Sequence, residues 1–550
     1  MIIARSWFVI TLFVLLSLAI AVRIVFLHVV DKDFLQDQGD ARTIRMERIN
    51  AHRGMIKDRN GQPLAISSPV VSLWANPQEL LSTANGVELI SKGLNIPRED
   101  VRTKLQQNSG SKFVYLRRRL TPPEARRIMQ LGIKGVYEER EYKRFYPAGE
   151  VTAHLVGFTD IDDKGQEGFE LSYNDWLEGT PGKKKVLKNL YGDIIRDIKP
   201  VREARPGKDL ALSIDLRVQY LAYRELKSAV NHYKAASGSV VLLDVDTGEI
   251  IAMANQPSFN PNKRSDLTIS AVRNRAVTDT FEPGSTVKPF TVATALRSGD
   301  FGPGSLVDTH PGFIKVDGKT IRDPLNRGKI TLTDIIAHSS QVGISKLALD
   351  LNGFKVREMF RDVGFGEVSG IGFPGEGYGY LPDHRRWSDI ERVTLAYGYG
   401  LTVTPLQLAA SYLTIASGGI KRQISALRAL EVKETRVLEK EVADDLLVML
   451  RRVVTDGTGS SASIDGYPVA GKTGTVRKMG DTGYLDTRHI AFFAGMAPVD
   501  NPKVVGVILI NDPQSDAYGG GAIAAPVFSR VMSGALRLLN VAPDEFLEAV

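Results

Sequence analysis

The chain reads as a mixed α/β (α+β) protein in three parts: one apolar N-terminal helix, a charged region of short strands and helices, and a larger domain whose sheet is closed by segments far apart in the sequence. Three observations predict it. Trp7 to Val22 is an uncharged apolar run. Two strand–turn–strand patterns, 237–259 and 489–512, flank a long stretch of helical periodicity. At 550 residues, 43% hydrophobic and 24% charged, the chain can bury more than one core. No repeat of fixed period is visible.

The first element is the N-terminal run. Sixteen residues fall short of a bilayer core, but IVFLHVV continues the run if Arg23 snorkels, which reaches the ~20 residues of a spanning helix. A cleaved leader is the rival, because Ala19-Ile20-Ala21 fits a small-x-small cleavage pattern. A retained anchor is preferred, since apolar residues continue past that point. Charge does not orient the segment: Arg5 precedes it, while Arg23, Arg42, Arg45 and Arg48 follow.

From the anchor to about residue 205 short strands and helices alternate with many charges. Asp58-Arg59-Asn60-Gly61 is a tight-turn signal, because Asn-Gly accepts positive φ. No constellation of catalytic side chains appears in this third, and a pedestal or interaction module is expected. In the last part, 237–259 reads as two buried strands joined at DVDTG, and 489–512 as two more joined at PVDNP. STVKPFTVATALRSG and the terminal AIAAPVFSRVMSGALRLLN are helical.

Composition removes several chemistries. There are no cysteines, which excludes disulfides and thiolate sites, and the eight histidines show no ligand spacing on a helix face, so no metal and no cofactor is expected. The net charge of +7 is modest, and no basic run interleaved with aromatics suggests a nucleic-acid partner.

Two motifs remain. In FEPGSTVKPF, Pro283 and Gly284 lead into a helix, placing Ser285 at or near its N-terminus, where free N–H groups stabilise an oxyanion. Lys288 lies three residues on, on the same face, and could take the serine proton if burial lowers its pKa. An N-cap serine and an exposed lysine would look the same in isolation. In GKTGT, an edge strand would present Lys472, Thr473 and Thr475 beside Gly474, whose bare backbone would let a substrate approach. Two hydroxyls and an ammonium suit a carboxylate. A phosphate-binding loop or a polar turn is the competing reading of this stretch, and the loop is set aside.

S-x-x-K, a serine-rich triplet and K-T-G occur in the order found in penicillin-binding proteins and serine β-lactamases. EPGSTVKPF, HSSQVGISKLAL, LAYGYGLTVTPLQLAASYLTIA and VAGKTGT resemble the transpeptidase domain of penicillin-binding proteins. RGMIKDRNGQPLA and YKRFYPAGEVTAHLVGF resemble the class B pedestal, and PGEGYGYLP the division-associated branch. The resemblance implies a penicillin-binding transpeptidase, β-lactamase-like fold: an antiparallel five-stranded sheet with helices, an all-helical subdomain bearing the second motif, and a mixed α/β pedestal. It divides the chain into a cytoplasmic tail (1–6), a transmembrane anchor (7–29), a dimerisation or pedestal domain (30–205) and a transpeptidase domain (206–550).

The same resemblance implies roles. Ser285 is the nucleophile on the penultimate D-Ala of a stem peptide, and Lys288 its general base. Ser339 relays a proton to the leaving amine, and Lys472 keeps the local potential positive. Backbone N–H groups of Ser285 and Thr475 form the oxyanion hole; Gln341, Thr473, Gly474 and Thr475 bind substrate. Partners are peptidoglycan stem peptides, β-lactam antibiotics, a SEDS-family glycan polymerase and other division proteins, at a bacterial inner membrane with a periplasmic catalytic domain. The enzyme is expected to be monofunctional. Gln341 stands where the family pattern S-x-N has Asn; its carboxamide is expected to reach Lys288 and the substrate's acyl side chain. A β-lactamase or sensor fits less well, given the pedestal motifs and single anchor. A D,D-carboxypeptidase would differ only in acceptor, and a non-catalytic scaffold draws support from Gln341 alone. Secondary candidates are Glu282 as a deacylating base, His338 as a tuner of the proton relay, and Tyr399, Tyr484 and Tyr518 at the cleft wall.

Overall fold

The computed structural model describes residues 2–35, 44–188, 194–265, 267–428, 431–480, 483–515, 517 and 519–544. Tyr518 therefore lies outside the described residues. At the N-terminus Ile2–Val25 is an α-helix that continues as a π-helical turn, Phe26–Val30. Its stretch Arg5–Val30 is long and apolar enough to cross a membrane, and none of its most apolar window is buried in the protein. Trp7, Phe13 and Val29 expose 66%, 70% and 71% of their surface, as side chains meant for an apolar solvent would.

The chain forms two compact units. The first comprises residues 1–53, 69–142 and 178–208. It holds an antiparallel three-stranded sheet, Ile44–Ile49, Gly182–Lys188 and Ile194–Arg202 in that order. A separate core of Leu73, Leu80, Ile90, Leu105, Ala125 and Ile128 is closed by the amphipathic helices Gly86–Leu94, Arg98–Gln107 and Pro122–Met129.

The second unit comprises 54–68, 143–177 and 209–550. Segments 54–68 and 143–177, expected within the pedestal span of 30–205, cluster here. Local pairing explains it: Ile56–Lys57 makes the Asp58–Gly61 hairpin with Pro63 onward and a parallel pair with Leu210–Ala211. Arg144 donates to Glu170 at 2.6 Å and Ser67 at 3.2 Å, and this ion pair is almost wholly buried.

The unit's centre is a five-stranded antiparallel sheet. Its strands are β1 (Ser237–Asp244), β2 (Ile250–Gln256), β3 (Ala470–Gly480), β4 (Gly483–Ala497) and β5 (Val504–Asn511), in the spatial order β2-β1-β5-β4-β3. The two hairpin turns fall where the sequence places them. Gly248 at φ +72 closes the first, with Asp244 accepting from the N–H of Asp246 and Thr247 at 3.0 Å. Both faces of the sheet are covered around β1, β2 and β5, which is why these strands are buried along nearly their whole length. Val240, Leu242 and Ile508 meet helices α1 (Leu216–His232) and α7 (Gly520–Leu538) on one face. Val241, Leu243 and Val507 meet the other core, with α2 (Lys288–Ser298) and α5 (Pro405–Ala416).

The subdomain of α3 (Leu332–Ala337), α4 (Gln341–Asp350) and the helix Gly353–Asp362 carries the serine triplet. It is not purely helical. The ribbon Phe313–Val316/Lys319–Arg322 turns on Asp317-Gly318, both at positive φ, and Leu306–Asp308 pairs with Lys329–Thr331. Asp-Gly is itself a two-residue hairpin signal, so the turn was available in the sequence. A further helix, α6 (Lys440–Thr455), leads into the last turn before β3.

Candidate active site

Ser285 sits in a 3₁₀ turn, Gly284–Val287, that runs directly into α2. The turn is wedged on three sides. Gly284, at φ +47, donates its N–H to the Gly398 carbonyl at 3.0 Å, and a Cβ there would lie 2.7 Å from Val476 on β3. From behind, Tyr412 on α5 donates its hydroxyl to the Thr286 carbonyl at 2.8 Å. Ser285 is half-buried at the mouth of this turn, beside the edge strand.

Lys288 and Lys472 are both 0% exposed. Burial lowers the Lys288 pKa to about 7, against the partly offsetting charge of Asp323. Lys472 is pushed well below its ordinary value by burial and then by repulsion from Lys288. Two ammonium groups so placed are not held together without cost, and one lysine is therefore free to act as a base near neutrality. Lys288 Nζ donates to the Ser339 carbonyl at 2.6 Å, to Ser339 Oγ at 3.2 Å and to the Ser340 carbonyl at 3.2 Å. Lysine and serine triplet are thus brought together.

The triplet is bent to make that contact. Ser339 adopts a left-handed backbone, φ +57, a strain of ~1–3 kcal/mol for a residue with a side chain. Ser340 then caps α4, its Oγ accepting from the Gly343 N–H at 2.8 Å. Gln341 is the first residue of α4 and half-buried. Its expected contact with Lys288 is absent: the hydrogen bonds of Nζ go to Ser339 and Ser340, because the left-handed turn aims their carbonyls at it. Asp323, which the sequence reading missed, holds this turn. It accepts from Ser340 Oγ at 2.5 Å, from the Gln341 N–H at 2.6 Å and from the Val342 N–H at 3.2 Å.

Lys472, Thr473, Gly474 and Thr475 lie on β3, the sheet edge. Gly466 to Thr473, GYPVAGKT, does carry the glycine spacing of a phosphate-binding loop; what excludes that reading is the regular antiparallel pairing of Ala470–Val476 with β4. A phosphate loop connects a strand to a helix. Packing requires glycine at 474, since a Cβ there would collide with the Phe492 ring. Thr473 shares a hydrogen bond with Thr458 at 2.8 Å, and Thr475 Oγ1 accepts from the Gly520 N–H at 2.9 Å.

One wall of the cleft is aromatic. Glu282 accepts from Tyr484 at 2.9 and 3.0 Å and from the Gly400 N–H at 3.0 Å, and Tyr484 packs edge-on against Tyr399. Burial and the Glu282 carboxylate push the Tyr484 phenol up. His338 is lowered by burial and the charge of Arg327. Among the described residues no cluster of three His, Asp or Glu could hold a metal.

A buried lysine one turn after a serine, a strained serine turn on that lysine and a threonine-bearing edge strand are the parts of an acyl-transfer site. Residues 238–533 match the penicillin-binding protein transpeptidase domain, and 48–212 the penicillin-binding protein dimerisation domain. The chain belongs to the penicillin-binding protein family. It is similar to the probable peptidoglycan D,D-transpeptidase PbpC of Pseudomonas aeruginosa, 44% identical over 99% of this chain and 97% of that one. It is also similar to the peptidoglycan D,D-transpeptidase FtsI of Escherichia coli, 43% identical over 96% and 91%. Among solved structures, penicillin-binding protein 3 of Mycobacterium tuberculosis complexed with aztreonam superposes with a TM-score of 0.68 at 27% identity, covering 90% of this chain and 98% of that one. This class B penicillin-binding protein, of the penicillin-binding protein 3 type, is a peptidoglycan D,D-transpeptidase with the expected five-stranded fold.

Proposed function

We propose that this transpeptidase cross-links septal peptidoglycan through an acyl-enzyme on Ser285, and that β-lactams acylate the same serine. The observation that carries the reading is Lys288: fully buried, three residues from Ser285, lowered to about 7 and tied to Ser339. Neutral Lys288 takes the Ser285 proton as Oγ attacks the penultimate D-Ala carbonyl carbon. Negative charge gathers on the carbonyl oxygen, where the backbone N–H groups of Ser285 and Thr475 receive it; each such donor supports ~3 kcal/mol of barrier lowering. Ser339 passes the proton from Lys288 to the leaving amine, the C–N bond breaks and terminal D-Ala departs. The amine of a neighbouring stem then attacks the ester carbonyl, and Ser285 recovers its proton.

Thr473 and Thr475 bind the terminal carboxylate, Lys472 supplies buried positive potential when protonated, and Gln341 borders the acyl side chain. The domain limits of 7–29, 30–205 and 206–550 go with this reading, as do a cytoplasmic N-terminus, an inner-membrane anchor and a periplasmic site. A SEDS-family polymerase supplies the glycan strands, and the other division proteins assemble around it. The support is the long apolar N-terminal helix and the likeness to FtsI.

A fluorescent penicillin tests the chemistry. Covalent labelling of the purified protein is expected, with none in Ser285→Ala; an unlabelled parent protein would overturn the acyl-enzyme. Supplying a thioester stem mimic with a D-amino-acid acceptor separates the outcomes, since hydrolysis alone would make it a carboxypeptidase.

A further inference from the structure

Thr458 lies in the turn that follows α6, outside all three motifs. Its N–H donates to the Ala337 carbonyl at 3.3 Å, at the end of α3 and two residues before Ser339, while its hydroxyl meets Thr473 Oγ1 at 2.8 Å. The turn is fitted without clearance. A Cβ on Gly457 would overlap the Ala337 carbonyl, and one on Gly521 the Thr458 carbonyl. Thr458 therefore bridges the serine-turn helix and the edge strand at a fixed spacing, and is itself exposed.

Thr475 shows what such a bridge does. Its oxygen accepts the Gly520 N–H from the first turn of α7, so the hydroxyl proton remains to be donated elsewhere. Among the described residues no backbone N–H donates to Thr473 Oγ1; its partner is the hydroxyl of Thr458. A carboxylate accepts and never donates, so a bound carboxylate requires Thr473 to give its proton forward and to accept from behind.

We propose that Thr458 is a positioning residue of the carboxylate subsite, which donates to Thr473 and thereby turns the Thr473 proton into the cleft. The inference rests on the reading of Thr473 and Thr475 as carboxylate ligands. Its consequence is selectivity for acyl donors whose leaving group ends in a carboxylate over donors that end in a carboxamide.

Two matched thioester donors, one ending in each group, test it on the full-length protein, with rates divided by titrated active sites. Wild type is expected to prefer the carboxylate donor. Thr458→Val lowers acylation by that donor about tenfold, the scale of one hydrogen bond to a charged group, and leaves the carboxamide donor unchanged. Thr458→Ser restores the preference, and Thr458→Ala repeats the loss with a smaller side chain. Equal losses on both donors, or an unchanged preference, would overturn the role of Thr458. No preference in wild type would instead overturn the carboxylate reading of Thr473 and Thr475, and the inference with it.

Discussion

Asp323 accepts the backbone N–H of Gln341 at 2.6 Å, so a loop carboxylate fixes where α4 begins and hence where the Ser339 and Ser340 carbonyls meet Lys288. The same carboxylate holds the Lys288 proton by its charge. Asp323→Asn keeps the shape but removes the charge. The Lys288 pKa falls, and the rising limb of the acylation rate against pH moves to lower pH, while the maximal rate drops about tenfold through the loosened turn. Stopped-flow acylation by a chromogenic cephalosporin between pH 5 and 9 reads both. A limb displaced to higher pH would contradict the assignment.

As the proposed base, Lys288 is expected to set the pH profile of the parent enzyme. Its pKa of about 7 lies below the ordinary 10.5, so acylation rises through pH 7 as the amine is freed and levels above it. The sign for stability is the same. Between those values the unfolded chain binds the proton and the folded one does not, so folding gains with rising pH. Chemical denaturation of wild type against Lys288→Met is expected to show a wild-type advantage that grows from pH 7 to 10.

Lys288 Nζ hydrogen-bonds Ser339 and Ser340 rather than the Gln341 carboxamide, which separates Gln341 from proton transfer. Gln341→Asn is expected to leave the pH limb in place and to alter the relative acylation rates of β-lactams with different acyl side chains. A rate panel of penicillins, cephalosporins and a monobactam measures this. Uniform rates across the panel would remove Gln341 from the substrate contact.

Glu282 and Tyr484 act as one unit in the cleft wall. Glu282→Gln and Tyr484→Phe, alone and together, are expected to be non-additive by about 1 kcal/mol in the free energy of acylation. A double-mutant cycle on acylation rates supplies the number, and strict additivity would dissolve the pair.

Glu170 is 0% exposed and holds Arg144. Glu170→Ala leaves a buried guanidinium without its carboxylate and is expected to cost about 3–5 kcal/mol of stability, read as a lower urea midpoint. Changing both residues to apolar ones of similar volume is expected to cost less than the single change, because the Arg144 charge goes with its carboxylate.

The motif residues were legible because each depends on local pattern: a serine–lysine spacing on one helical turn, a Lys-Thr-Gly-Thr run with β character, Asn-Gly and Asp-Gly turns. Asp323 and Thr458 were not. A carboxylate in the loop after a β-ribbon caps α4 only because Asp317-Gly318 folds that ribbon back toward it, and no spacing in the sequence records such a meeting. Thr458 meets Thr473 across a turn that only the packing of α6 and α7 defines. The assignment of 54–68 and 143–177 to the second unit likewise depends on pairings between segments some 150 residues apart, such as Ile56 with Leu210. The packing constraint on Gly474 was hidden for the same reason, since the Phe492 ring reaches it from the neighbouring strand.

That ring also limits how the edge strand can change. With Phe492 filling the space a side chain at 474 would need, the edge strand cannot acquire bulk there to obstruct a drug without disturbing its own sheet. The edge strand is held constant at 474 by the packing of its neighbour, independently of anything it binds.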